Sequence, residues 1–317
     1  VKVSLVSQGA GWVIDDIVND YKKYTSHEVV GLQQSPDVIW VVNLWSFKKA
    51  YSRKPSCPIV LNVHHIDETK IDEYDFDLFN KADCIVVPNK ITEGIARKYF
   101  NKPITRMPYW VLSKTLITPE PSEWERFKSF KEEIGANGEL IVGSFQRDTQ
   151  RNGSPKLSKG PDILFDVLKG LSKEIDISVV LAGWNRGYLV DRLKGENIPF
   201  TLMERTKDIN FLYGCLDWYF VTSRTEGGPQ AVLETSFLHC NVLSTPVGIA
   251  PEILHPNCIC NSPQDFVSTV MKNVKIHQFS KERIHNDDKI IPAFLPERVI
   301  PKWDNFFEEV SNGFWND

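Results

Sequence analysis

The sequence predicts an α/β protein made of two Rossmann-like domains, each a parallel sheet covered by helices. Three observations lead there. Short apolar runs alternate with amphipathic segments along the chain, the pattern of parallel strands joined by helical crossovers. Two runs pass through a glycine loop into helical spacing: Lys2–Ser7 through Gln8-Gly9-Ala10-Gly11, and Trp218–Val221 through Glu226-Gly227-Gly228-Pro229. A Pro-, Ser- and charge-rich stretch, residues 113–138, separates two such alternations, and 317 residues leave room for two cores.

The first domain is assigned to residues 1–112. After the strand Lys2–Ser7, the segment Trp12–Tyr24 is helical, with apolar residues at Val13, Ile17 and Tyr21. A single Gly-x-Gly, here Gly9 and Gly11, marks a tight strand–helix turn as readily as a phosphate loop. His27–Leu32, Asp37–Val42 and Ile59–His64 read as strands, Asp75–Ala82 as a helix, Cys84–Val87 as a strand, Ile91–Tyr99 as a helix and Ile104–Pro108 as a strand. The basic run Ser46–Pro55 reads as a solvated loop; contact with a phosphate-bearing acceptor or a membrane surface is the alternative.

Residues 113–138, with the helix-like SEWERFKSFKEEIG, form the connection, and the second domain covers 139–290. Its strands are Leu140–Phe145, Ile177–Gly183, Phe200–Glu204, Trp218–Val221 and Asn241–Ser244. Helices follow at Ile163–Leu171, Tyr188–Lys194, Asp208–Leu216, from Gln230 onward, and at Phe266–Val274. The end of the chain, 295–317, reads as an amphipathic helix.

Composition narrows the function. Hydrophobic residues at 42% and charged residues at 25% describe an ordinary globular protein. A net charge of −4 argues against a general nucleic-acid binder. Apolar runs such as Val38–Val42 are too short to span a bilayer, and VKVSLVSQGAGW lacks the charged-then-apolar pattern of a signal peptide. The absent initiator Met points to a processed or trimmed chain. The six cysteines are scattered, with Cys84 and Cys215 beside apolar segments, which fits reduced buried thiols and a cytoplasmic location. His255, Cys258 and Cys260 lack the spacing and fourth ligand of a zinc site. Asp75-Phe76-Asp77 sits in a helix-like acidic run, where carboxylates two apart face different directions, so no metal is expected there.

The segment 218–252 carries the chemistry. Glu226 lies in its glycine loop and Glu234 about one turn into the following helix, eight positions on. A carboxylate accepts from paired hydroxyl donors, which ribose diols and sugars supply, and a glycine loop leading into a helix offers backbone N–H groups to an anion. Two solvated carboxylates, one capping a helix, are the plainer alternative. In its ordered pattern the segment resembles the donor-binding signature of retaining GT-B glycosyltransferases of the family 4 type, matched by Ser223, Glu226, Gly227, Pro229, Glu234, Pro246, Val247, Gly248 and Glu252. Other stretches extend the resemblance: KADCIVVPNKITEGIARKYF in the first domain, the strand-terminal His64 before His65, and Arg147 followed by Lys159-Gly160-Pro161-Asp162 in the second. It covers residues 139–254 well and 1–110 loosely.

The resemblance implies a GT-B fold, two Rossmann-like domains facing across a cleft, with the C-terminal helix packing back on the first domain. It implies transfer of a hexose from a UDP-, GDP- or ADP-sugar to a glycan, lipid-linked or small-molecule acceptor, with retention and without a metal or other cofactor. Arg147 and Lys159 would grip the donor diphosphate, with Arg151 and Lys156 as competitors. Helix-terminal N–H groups at Gly228, Gln230 and Ala231, around Pro229, would assist. Glu226 would orient the sugar, Glu234 the ribose, and His64 would sit near the sugar. Met203 and Arg205 would meet the base, while Gly9 and Gly11 would line the cleft. No nucleic acid is expected as a partner, and membrane contact is at most peripheral. The alternatives are a catalytically silent sugar-nucleotide-binding protein, a sugar-nucleotide epimerase, and a structural or assembly protein on the same fold.

Overall fold

The computed structural model describes residues 1–9, 13–52, 56–116, 125, 128–132, 140–204, 209–238, 240–276 and 292–313. By packing, the chain divides into two compact units. One comprises Val1–Lys114, Glu226–Gly228 and Ile291–Asp317; the other comprises Thr115–Thr225 and Pro229–Ile290.

The first unit is built on six parallel strands: β1 (Lys2–Val6), β2 (Glu28–Val30), β3 (Val38–Val41), β4 (Ile59–Asn62), β5 (Cys84–Val87) and β6 (Ile104–Arg106), in the order β2-β1-β3-β4-β5-β6. Strands β3, β4 and β5 are buried at every position, which is why they read as apolar runs rather than alternating ones, with Asn62 at the end of β4 the one polar residue. Helices α1 (Val13–Tyr24), α2 (Phe47–Tyr51), α3 (Phe76–Phe79) and α4 (Lys90–Tyr99) join them. One cluster of the core gathers Phe47, Leu61, Ile66, Phe79 and Phe100. In an aromatic cluster, Trp40 lies 4.5 Å from Trp303 and 5.3 Å from Tyr21, ring centroid to centroid. Trp303 belongs to the C-terminal helix, Pro296–Ser311, whose Asp304 accepts hydrogen bonds from the Tyr21 hydroxyl (2.9 Å), Thr25 Oγ1 (2.6 Å), and the Ser26 backbone N–H (2.8 Å) and hydroxyl (2.9 Å).

Local sequence accounts for two departures from expectation. The basic run expected to be a solvated loop is helical over Phe47–Tyr51, because Phe47 and Ala50 are wholly buried while Lys48 and Lys49 lie in the same turn. The helix expected over Asp75–Ala82 shrinks to Phe76–Phe79, with the Asp75 carboxylate capping it by accepting from the Leu78 N–H at 3.0 Å.

The second unit has five parallel strands: β7 (Leu140–Ser144), β8 (Ile177–Ala182), β9 (Phe200–Met203), β10 (Trp218–Val221) and β11 (Asn241–Ser244), in the order β11-β10-β7-β8-β9. Its helices are α5 (Pro161–Leu171), α6 (Gly187–Gly195), α7 (Ile209–Cys215), α8 (Gln230–Phe237), α9 (Ala250–Ile253) and α10 (Pro263–Ile276). Both sheets reverse their direction of growth once, between β1 and β3 in the first and between β7 and β10 in the second. In open α/β sheets the crevice at the carboxyl ends of the strands beside such a reversal is where ligands bind.

Candidate functional site

At the reversal of the second sheet, the exits of β7 and β10 are stitched together by hydrogen bonds. The Ser223 hydroxyl donates to Gln146 Oε1 at 3.1 Å, which ties the β10 exit to the residue before Arg147. The backbone N–H of Arg224 donates to Ser158 O at 2.9 Å, and the Thr222 hydroxyl donates to Gly160 O at 2.9 Å, which bracket Lys159. Gly160 is left-handed, with φ +59°, and a Cβ there would collide with the carbonyl oxygen of Thr222. Glycine is therefore required where the Lys159 turn meets the strand exit. The segments carrying Arg147 and Lys159 thus converge on Thr222–Thr225, although they lie far apart in sequence.

The intervening residues 149–155 close into a small hairpin: Thr149 and Pro155 form an antiparallel bridge, and the Gln150 N–H donates to Ser154 O at 2.8 Å. Arg151 is exposed on this hairpin, while Lys156, half-buried, donates its backbone N–H to Asp148 O at 2.8 Å. On the other side of the β10 exit, α8 begins after Pro229, which is extended and supplies no side-chain cap. The positive end of the helix dipole therefore lies at Gln230 and Ala231.

Glu234 is one turn further along α8 and only 7% exposed. The Tyr213 hydroxyl of α7 donates to its Oε2 at 2.8 Å. Tyr213 is itself buried among Phe145 and Tyr219, at centroid distances of 4.9 Å and 5.1 Å. Burial, reinforced by the Glu234 charge, raises the Tyr213 phenol well above its usual range, so it stays a donor. One side of the Glu234 carboxylate is thereby anchored.

The three residues Glu226–Gly228 belong to the first unit. Gly227 is buried; its carbonyl accepts from Asn89 Nδ2 at 2.5 Å, and a Cβ on it would strike the carbonyl oxygen of His64. Asn89 also caps α4, accepting from the Thr92 N–H at 2.8 Å. His64, just past β4, is half-buried with both ring nitrogens engaged: Nε2–H donates to Val42 O at 2.7 Å, and Nδ1 accepts from the Tyr109 hydroxyl. Burial pushes His64 down to about 4, against the pull of the Val42 carbonyl, with neighbouring His65 adding a push in the same direction as burial. The ring is neutral at pH 7. His65 is exposed.

The remaining expected positions are spread more widely. Gly9 is exposed and left-handed at φ +64° beside the reversal of the first sheet, and Met203 ends β9. Gly11 and Arg205 lie outside the described residues, as does most of the 113–138 connection. Among the described residues, no group of three or more His, Cys, Asp or Glu is placed to hold a metal ion, and no helix is long and apolar enough to cross a membrane. No disulfide joins the cysteines among the described residues.

Three residues that the sequence did not single out shape these loops. Tyr213 anchors Glu234, Asn89 anchors Gly227, and Arg186 pairs with Asp148 beside Arg147, Nε to Oδ2 at 3.0 Å. Asn89 alone carried a signal, as an Asn two residues before a helical pattern. The other two depend on partners distant in sequence.

No protein-family model matches the chain, and no curated protein matches it in sequence. Its fold, however, matches solved structures over nearly its whole length. The chain is similar to HepE of Anabaena in complex with UDP and glucose, with a TM-score of 0.75 at 14% identity, covering 97% of this chain and 99% of that one. It is similar to a glycosyltransferase from Rickettsia africae, with a TM-score of 0.70 at 15% identity and 98% of each chain covered. It is also similar to a sucrose-phosphate synthase from Thermosynechococcus elongatus, with a TM-score of 0.71 at 11% identity and 98% of each chain covered. The fold, two α/β units with six- and five-stranded parallel sheets, is that of GT-B glycosyltransferases.

Proposed function

We propose that this chain is a glycosyltransferase that moves a hexose from a nucleotide-sugar donor to a hydroxyl of a glycan, lipid-linked or small-molecule acceptor, retaining the anomeric configuration and using no metal. The observation that carries this reading is the convergence of the Arg147 and Lys159 segments and the start of α8 on one strand reversal in a GT-B-type fold. The ordered resemblance of residues 139–254 to family 4 enzymes supports the retaining outcome. The neighbour HepE binds UDP and glucose, which makes a UDP-sugar the first donor to test.

The chemistry follows from charge. As the bond from the anomeric carbon to the phosphate oxygen breaks, negative charge builds on the leaving diphosphate. Fixed cations and a helix N-terminus stabilise that charge more in the transition state than in the bound donor. Arg147 and Lys159 supply the cations and α8 the dipole. The acceptor oxygen bonds to the anomeric carbon from the face the diphosphate leaves, and its proton passes to the departing phosphate oxygen. Glu234, held by Tyr213, takes the ribose diol; Glu226 orients the sugar; Met203 meets the base. His64 acts here by position. Its ring is engaged with Val42 and Tyr109 while its carbonyl seats Gly227, so it shapes the loop that bears Glu226. Cytoplasmic work with at most peripheral membrane contact completes the reading.

The test is release of nucleoside diphosphate from UDP-, GDP- and ADP-sugars in the presence of an acceptor panel and EDTA, with the product anomer read by NMR. One donor turns over with retention, and Glu226→Ala lowers turnover by about 100-fold, the order seen when a group acting on the transition state is removed. Full turnover by Glu226→Ala would refute the assignment.

A further inference from the structure

The second unit buries an ion pair that the proposed chemistry does not use directly. Arg186 is 3% exposed and Asp148 is 2% exposed. The Arg186 guanidinium reaches Asp148 Oδ2 through Nε at 3.0 Å and donates through Nη2 to Ser144 O at 2.8 Å. Nε, Nη1 and Asp148 Oδ2 make no hydrogen bond among the described residues, so the contact with Asp148 is an ion pair and the contact with Ser144 the hydrogen bond. A buried pair left partly unsatisfied is a poor stabilising device: both charges lose water, and apolar residues of similar size commonly do as well or better. Its geometry supplies a different reason for it.

Ser144 and Asp148 flank the tripeptide Phe145-Gln146-Arg147, so the guanidinium holds both ends of one short loop. Between those ends, the Phe145 N–H donates to the Tyr219 hydroxyl at 3.1 Å, and Gln146 accepts from Ser223. Asp148 is fixed in turn by the Thr149 hydroxyl at 2.6 Å, and the Asp148 and Thr149 N–H groups both donate to Asn185 O, at 3.3 Å and 2.9 Å. An arginine fork is planar and rigid, so it sets the separation of the groups it binds in a way that an ammonium does not.

We propose that Arg186 and Asp148 are positioning residues that clamp the loop bearing Arg147, so that this arginine is preorganised for the diphosphate of a nucleotide-sugar. The inference rests on the assignment of Arg147 to the diphosphate made above. It adds that the affinity contributed by Arg147 depends on a buried pair that touches no ligand.

A double-mutant cycle tests it. The probes are whichever of UDP, GDP and ADP the wild type binds best, and the matching nucleoside without phosphates. Affinities are measured by calorimetry on the full chain. Arg147→Ala weakens the diphosphate by about 10-fold or more, as expected for a charge-assisted contact, and leaves the nucleoside unchanged. The charge-free pair Arg186→Met with Asp148→Leu, and separately Arg186→Lys, weaken the diphosphate but not the nucleoside. In either background a further Arg147→Ala costs less than about 3-fold, because the contribution is already lost.

If Arg147→Ala keeps its full effect in those backgrounds, the clamp is refuted and the diphosphate assignment stands. If Arg147→Ala has no effect in the wild type, or if no nucleotide binds it, both fall. If the nucleoside weakens as much as the diphosphate, or if neither clamp variant folds, the pair is a general structural element and the proposal is overturned.

Discussion

Gly9 in the first unit and Gly160 in the second have almost the same φ, +64° and +59°, and each borders a strand exit or a helix start. They are not equivalent. Among the described residues, nothing lies within 4 Å of where a Cβ on Gly9 would stand, whereas the same atom on Gly160 would run into the Thr222 carbonyl oxygen. Gly227 shares the second property without the left-handed backbone, since its Cβ would meet the His64 carbonyl oxygen. The glycine of the Gly-x-Gly opening is a conformational choice. Those beside Lys159 and Glu226 are packing requirements, set where two backbones approach too closely for any side chain. The difference teaches that a motif's glycines are worth what surrounds them, and that the more constrained loops are the ones carrying the charged residues.

The largest effect that separates the two cases is expected at Gly160. Gly160→Ala adds left-handed strain of about 1–2 kcal/mol to an overpacking cost of about 1–3 kcal/mol. Urea denaturation is therefore expected to show a loss of about 2–5 kcal/mol, together with loss of nucleotide binding. Gly227→Ala carries only the overpacking and costs about 2 kcal/mol in the same measurement. Gly9→Ala carries only the strain and costs about 1 kcal/mol, with nucleotide affinity kept. A Gly9→Ala loss equal to that of Gly160→Ala would erase the comparison.

A second pair sharpens the contrast between the units. Asp304 and Asp148 are equally deep, 5% and 2% exposed, yet they shift in opposite directions. For Asp304 burial raises the pKa, but donors from Thr25, Ser26 and Tyr21 outweigh it and bring the group below the usual carboxylate range. For Asp148 burial prevails over Arg186, the Thr149 hydroxyl and the N–H groups of Leu189 and Tyr188, and the pKa rises. Linkage then gives opposite signs. The stability from Asp304 is present above the ordinary carboxylate pKa and is lost as pH falls through its depressed folded value. Asp148 binds its proton more tightly in the folded state, so its contribution declines as pH rises from the ordinary value through the raised one. Melting temperatures from pH 3 to pH 7 should therefore show the deficit of Asp304→Asn against wild type growing with pH, and that of Asp148→Asn shrinking. Parallel profiles would contradict the assignment of one carboxylate as a saturated anchor and the other as half of a strained pair.

What was legible in the sequence follows the same division. Cys84–Val87 and Trp218–Val221 were read to the residue, because a strand buried on both faces shows as an unbroken apolar run; Asn241–Ser244 was too, although both its ends are polar. Phe47–Tyr51 was not, because Lys48 and Lys49 disguised a helix whose burial rests on Phe47 and Ala50 alone. Among the proposed site residues, Arg147, Lys159, Glu226 and Glu234 stood out through the ordered resemblance of their segments to a known donor-binding signature. Arg186 did not: in Trp184-Asn185-Arg186-Gly187 it reads as a surface cation in a turn, and only the approach of Asp148 from the neighbouring strand exit buries it. Tyr213 was hidden for the same reason, as an ordinary core aromatic until its hydroxyl is seen on Glu234.

The most direct test of the central claim is calorimetric titration of the wild type, Lys159→Ala and Glu234→Ala with UDP, GDP and ADP in EDTA, each beside its free nucleoside. One nucleotide is expected to bind the wild type without metal. Lys159→Ala should weaken the diphosphate by about 10-fold or more while sparing the nucleoside, and Glu234→Ala should weaken both, because the contact proposed for it is with the ribose. Failure of every nucleotide to bind at millimolar concentration, or affinities that neither substitution moves, would contradict a donor site on this strand reversal.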